Sequence, residues 1–148
     1  MPFTCLRYHI VFATEHRNPF ITPEVELKLY PYIRRCVPEL GGRVVALNGM
    51  PDHVHLVCAL RPSVSLSHFI GHLKARSNRR VLAMFGPGLN WQSSYSAFTV
   101  SVHQMDRLLL YVQGQKAHHE AGLIFPHLEW TPTHEEHEAP FDPNAIEF

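Results

Sequence analysis

The stretch Pro51-Asp52-His53-Val54-His55-Leu56-Val57-Cys58-Ala59-Leu60 decides how the rest of the chain is read. Apolar and β-branched residues follow a Pro-Asp turn signal, which is the pattern of a strand. Successive side chains of a strand point to opposite faces, so His53 and His55 share one face, with Cα atoms about 7 Å apart. Val54, Leu56 and Cys58 share the other face and belong in a core. The strand thus has a structural side and a side whose two imidazoles can reach one metal ion. Taken alone, a His-x-His pair describes a core-edge or surface pair as well as it describes a metal site.

Upstream, Arg43 to Leu47 (RVVAL) reads as a second strand, joined to the first through a turn containing Asn48-Gly49 and Pro51-Asp52. Arg7 to Ala13 (RYHIVFA) is another strand. Between them Thr22 can cap a helix with Pro23 at its first position; Pro31 is expected to kink or shorten it, and Gly41-Gly42 to end it. Downstream, Leu66, Phe69, Ile70 and Leu73 recur at i, i+3, i+4, i+7 behind the cap candidate Ser65, and Gly86-Pro87-Gly88 stops that helix. Tyr95 to Val100 is a strand candidate. Ser101 and Gln104 form a capping-box pattern ahead of Met105, Leu108, Leu109 and Val112, which predicts a last long helix from near Val102. The order β-α-β-β-α-β-α, with strands two and three in a hairpin, predicts a single α+β domain: a ferredoxin-like antiparallel β-sheet with helices packed on it.

With 148 residues, the chain fits one domain and one active centre. Thirteen basic residues balance thirteen acidic ones, which argues against a protein that coats nucleic acid through charge alone, so any DNA contact must be local. Twelve histidines are the compositional oddity, because imidazole is both a metal ligand and a proton carrier near neutral pH. Cys5, Cys36 and Cys58 suit reduced thiols in a core. No run approaches the ~18 apolar residues of a membrane span, and a cytoplasmic protein is expected. After Phe125 the sequence is rich in Pro, His and Glu without a period, so residues 126–148 read as an irregular arm behind a domain over residues 1–125.

Two further clusters lie on the predicted helices. Tyr111, Gln115 and His118, at i, i+4, i+7, fall along one stripe beside the core-facing one; from spacing alone Tyr111 also reads as an amphipathic side chain at a helix–sheet interface. Gly114 interrupts that helix at a cost of about 1 kcal/mol relative to Ala. On the middle helix His72, Arg76 and Arg79 form a stripe flanked by Lys74 and Arg80, which is either a solvated charged face or a place where a phosphate backbone lies.

Together these segments resemble the single-tyrosine HUH transposases of small bacterial insertion sequences, from about Tyr8 to about His119. The resemblance is carried by Pro51-Asp52-His53-Val54-His55-Leu56-Val57, Leu73-Lys74-Ala75-Arg76-Ser77, Trp91-Gln92, and Tyr111-Val112-Gln113-Gly114-Gln115 followed by His118-His119. It implies that His53 and His55 bind a divalent metal, Mg²⁺ or Mn²⁺, with Gln115 as third ligand, and that Tyr111 is the nucleophile. Gly114 stands where the family usually has asparagine. The implied substrate is single-stranded DNA with hairpins at an element's ends, cut and rejoined through a 5′-phosphotyrosine without ATP. The implied assembly is a homodimer whose tyrosine helix acts in trans. His118, on the Tyr111 stripe, is a candidate acceptor for the tyrosine proton, and His72, Lys74, Arg76 and Arg79 are candidates for DNA contact. A histidine-triad hydrolase would need a third alternate histidine, and position 57 is Val. The alternative from another class is a non-catalytic or domesticated dimeric DNA-hairpin-binding protein.

Overall fold

In a computed structural model, which describes residues 2–122 and Thr131, strands β1 (Arg7–Ala13), β2 (Gly42–Met50), β3 (His53–Leu60) and β4 (Ser96–Thr99) form one antiparallel sheet. Its order is β2-β3-β1-β4. Helices α1 (Pro23–Glu39) and α2 (Leu66–Phe85) connect the strands, and α3 (Met105–Gln113) and α4 (Gln115–Glu120) follow β4. This is the ferredoxin-like α+β arrangement that the element order predicts.

The alternation along β3 places its two faces in different layers. Val54, Leu56, Cys58 and Leu60 pack with Ile10 and Phe12 of β1 against α1 and α2, through Leu29, Ile33, Phe69, Ile70 and Leu73. On the other face Val57 and Ala46 meet α3 through Met105, Leu108, Tyr111 and Val112. A register shift between Val44 and Ala46 lets β2 serve both layers: Val45 and Ala46 turn to the α3 side, and Leu47 returns to the α1/α2 core.

Several local expectations need correction. Helix α1 starts as expected, with the Thr22 hydroxyl accepting from Val25 N at 3.4 Å, but it runs unbroken through Pro31. Pro31 stands on the exposed face, where the carbonyl deprived of its partner can turn to solvent. Asn48 and Gly49 are not turn residues; they belong to β2, opposite His55 and Val54. Gly49 is required there because a Cβ would fall against the carbonyl oxygen of His53, with Tyr30 Oη and Val54 Cα both at 3.0 Å. The last helix is not continuous either. Ser101 makes no side-chain cap, Val102–Gln104 is a 3₁₀ turn, and Gly114 separates α3 from α4. Cys36 and Cys58 are buried free thiols, but Cys5 is exposed rather than in the core. The boundary expected at residue 125 lies outside the described residues. Within the expected arm, Thr131 accepts from Arg17 Nη2 at 3.1 Å and donates to Gln92 Oε1 at 3.0 Å.

The segment leading into β4 is tied to α2 by side chains. Lys74 Nζ donates to the carbonyls of Gln92 and Ser94, each at 2.7 Å, and the Trp91 indole donates to Ser77 Oγ at 3.0 Å. Burial lowers the Lys74 pKa to about 8, so at neutral pH it remains an ammonium and both bonds are charge-assisted. Trp91 also meets Phe12 of β1 edge-on.

Two stability predictions follow from these contacts. Gly49→Ala should lower the unfolding free energy by about 1–3 kcal/mol, the cost of overpacking a site bounded by backbone. Lys74→Met keeps the stem but leaves two carbonyls without their donor, and should cost about 1–3 kcal/mol. Urea denaturation reads both; an unchanged midpoint in either variant would refute the contact assigned to that residue.

Candidate active site

His53 and His55 project from β3 toward the α3 side of the sheet, as their spacing predicts, and both are buried, at 2% and 0% exposure. Their ring centroids are 5.1 Å apart. A buried imidazole needs partners for its ring nitrogens. His53 Nδ1 donates to Asp52 Oδ1 at 2.7 Å, and this hydrogen bond holds the Asp52 carboxyl below the usual carboxylate range. Because the carboxylate can only accept, Nδ1 of His53 carries a proton. His55 Nδ1 lies 2.8 Å from Nε2 of His9, a fully buried residue of β1.

The helical side of the site comes from both sides of the Gly114 break. Tyr111, at the end of α3, is 4% exposed, and its ring meets that of His55 at 6.1 Å between centroids. Gln115, the first residue of α4, is fully buried. His118 lies against the face of the Tyr111 ring, with centroids 5.2 Å apart and planes at 27°. Gly114 makes room for it: a Cβ at position 114 would meet His118 Cε1 at 3.1 Å and Nε2 at 3.3 Å. An asparagine there would crowd this imidazole, which gives a physical reason for the departure from the family pattern.

Polar bonds hold the α3–α4 joint onto β2 of the same chain. Asn48 Nδ2 donates to the Gln113 carbonyl at 3.0 Å. Lys116 Nζ donates to Glu26 Oε1 at 2.7 Å, to Asn48 Oδ1 at 2.9 Å and to the Gly49 carbonyl at 3.3 Å. Asn48 stands directly opposite His55 across β2 and β3, so the tyrosine segment is docked one strand away from the histidine pair.

Of the residues singled out by sequence, His53, His55, Tyr111 and His118 come together through their rings, and Gln115 is buried at the start of α4 between Tyr111 and His118 in the chain. The α2 residues do not join them, because α2 packs on the opposite face of the sheet. Arg76 pairs with Glu39 of α1 at 2.9 Å, Lys74 holds the segment before β4, and His72 and Arg79 are exposed. Arg80 lies over the ring of Tyr32. Sequence reading missed Asp52, which it took only as a turn residue, and His9, which it took only as part of a strand. A histidine inside an otherwise apolar strand was the available signal for His9. It also gave no role to His119, whose ring is 5.2 Å from that of His53 and which lines, with Arg17, Pro19 and Asp52, an open cleft beside the site.

Two imidazoles and one amide oxygen, from His53, His55 and Gln115, could hold a divalent cation; all three residues are buried. Among the described residues no three His, Cys, Asp or Glu side chains cluster as a ligand set. The Nδ1-protonated tautomer of His53 fits this use. Among the described residues no helix is long and apolar enough to cross a membrane.

Known proteins share this architecture. A transposase of Deinococcus radiodurans, the ISDra2 protein TnpA, is 28% identical over 117 residues, which cover 74% of this chain and 84% of the relative. A solved structure from Deinococcus radiodurans R1, assigned provisionally as a transposase, is 30% identical with a TM-score of 0.63, covering 78% of this chain and 95% of that one. The structure of a REP-associated tyrosine transposase bound to a REP hairpin, at 13% identity, shares the fold with a TM-score of 0.59 over 100% of this chain and 95% of its own. The model of the IS200-like transposase family matches residues 3–115, and the chain belongs to that family.

Proposed function

We propose that this protein is a DNA strand transferase that cleaves and rejoins single-stranded DNA at insertion-sequence ends, with Tyr111 as nucleophile. The observation that carries the reading is the convergence of Tyr111, His53 and His55 in one buried cluster on elements far apart in sequence, with Gln115 buried four residues after Tyr111. Membership in the IS200-like transposases supports it, and the relative bound to a DNA hairpin supports a hairpin-containing DNA partner.

In this mechanism the Tyr111 oxygen attacks the scissile phosphorus and the bond to the 3′ oxygen breaks. The products are a 5′-phosphotyrosine and a free 3′-hydroxyl. That hydroxyl, or one from another strand, reverses the step, so the bond energy stays in the covalent link and ATP is not consumed. A divalent cation, Mg²⁺ or Mn²⁺, would be held by His53, His55 and Gln115, and when bound it supplies charge neutralisation and polarisation at the phosphate. The phenol has a reference pKa of about 10 and must lose its proton as it attacks. His118, stacked on the phenol ring, is the imidazole assigned to receive it. Tyr111 and Gln115 are buried in the chain without DNA, so DNA has to displace what covers them as it enters. The cleft lined by Arg17, Asp52, His53 and His119 is the approach assigned to the DNA, and its guanidinium suits a phosphate.

Family resemblance implies a homodimer in which the tyrosine segment acts in trans; within one chain, Asn48 and Lys116 bond that segment to β2.

Incubation with hairpin-bearing single-stranded DNA and Mn²⁺ should give a covalent protein–DNA band that survives denaturant. Tyr111→Phe and excess chelator should each abolish the band; full-strength adduct from the Phe variant would sink the nucleophile assignment, and from the chelated enzyme the metal role. Mixing Tyr111→Phe with His55→Ala should restore adduct, because intact histidines of one chain meet an intact tyrosine segment of the other. No recovery in that mixture, with subunit exchange demonstrated, would show that each chain builds its site alone.

A further inference from the structure

We infer that His9 is a positioning residue for His55: it accepts the Nδ1 proton of His55 on its own Nε2, and so fixes the tautomer and ring orientation that offer His55 Nε2 to the metal. The inference rests on the metal role proposed above for His53 and His55.

The two imidazoles come from neighbouring strands. His9 of β1 is opposite Val57 of β3, and Val11 is opposite His55, so His9 and His55 are diagonal neighbours on one face of the sheet. Both are fully buried, and their nitrogens are 2.8 Å apart. That separation is shorter than the roughly 3.5 Å at which ring faces touch. With planes 17° apart and centroids at 5.1 Å, the rings therefore meet edge to edge through an N–H···N bond. Phe98 of β4, opposite His9, packs against its other side, with ring centroids 5.9 Å apart.

One proton lies between the two nitrogens, and its owner decides what His55 can do. If His9 donates, a neutral His55 carries its proton on Nε2 and has no lone pair there. If a neutral His55 donates, a neutral His9 carries its own proton on Nδ1, and the lone pair of His55 is on Nε2. Only the second arrangement makes His55 equivalent to His53, whose Nδ1 proton is held by Asp52. The site thus has two acceptors behind two imidazoles, one a carboxylate from the turn before β3 and the other an imidazole from β1. Ligating histidines are oriented by just such partners, whose loss typically weakens metal affinity by about 10–100-fold.

Glutamine and asparagine separate positioning from packing. The amide oxygen of glutamine reaches about as far as Nε2 of histidine, whereas asparagine reaches only as far as Nδ1. Mn²⁺ binding, measured by electron paramagnetic resonance of the free ion without DNA, should be about 10–100-fold weaker in His9→Asn than in the wild type. His9→Gln should restore it to within a few-fold, and His55→Ala should abolish it. Thermal melting checks that each variant is folded. Equal Mn²⁺ affinity in folded His9→Asn and His9→Gln, or in folded His9→Asn and the wild type, would overturn the inference while leaving the metal site standing. Absence of saturable binding by the wild type would instead defeat the metal reading. Nitrogen-15 correlation spectra of the histidine rings decide the point separately, whether or not the variants fold. A wild-type His55 protonated on Nδ1 supports the inference, and one protonated on Nε2 overturns it.

Discussion

The structure depends on burying two imidazoles on the inner strand of a four-stranded sheet. An apolar side chain at either position would need only packing, but an imidazole brings two nitrogens whose hydrogen-bonding needs are costly to leave unmet. The fold answers with groups from two different places. Asp52, in the turn before β3, accepts a hydrogen bond from His53 Nδ1, and His9, across the β1–β3 pairing, stands at the matching nitrogen of His55. The turn, the register of β1 on β3 and the orientation of both histidines are therefore one coupled arrangement. A slip of one residue in register would exchange the faces of β1 and carry His9 away from His55.

The approach of the helical segment follows from the same strand pair. Gly49 lets β2 lie close to the carbonyl of His53, and Asn48 next to it reaches out to the joint between α3 and α4. The joint sits at Gly114, where the missing Cβ leaves space for His118 to fold back onto Tyr111. Breaking the helix there sets the two reactive candidates on either side of it: Tyr111 ends in the α3 packing layer, and Gln115 begins a short helix held by Lys116. The glycine weakens the helix as helix and improves the fit of the cluster.

Formal neutrality is compatible with a DNA-processing enzyme of this kind, because its chemistry is concentrated in one place. Several basic residues are already engaged within the chain: Lys74 with backbone carbonyls, Arg76 with Glu39, and Lys116 with Glu26. Their charges serve docking of helices and loops. The cluster itself consists of imidazoles, an amide and a phenol, and beside it lies a cleft with Arg17 at its wall.

The sequence by itself determined the sheet, the faces of β3 with His53 and His55 on one of them, and the covering of the other face by two amphipathic helices. Those features are written in local periods of two and 3.6 residues, which any correct strand or helix must display, whereas Tyr111 and Gln115 became candidates through the family resemblance. The tertiary structure alone decided which candidates meet. It carried the α2 arginines to the far face of the sheet, because the stripe of Phe69, Ile70 and Leu73 beside them packs against α1 and the apolar side of β3. It kept Pro31 inside a helix, since the exposed face tolerates a carbonyl that solvent can reach, and it moved Asn48 and Gly49 from a turn into a strand. It also gave His9, Asp52 and Asn48 their parts. No local pattern announces these, because a hydrogen bond between residues 46 positions apart depends on strand register, and register is fixed only when the whole sheet closes on its core.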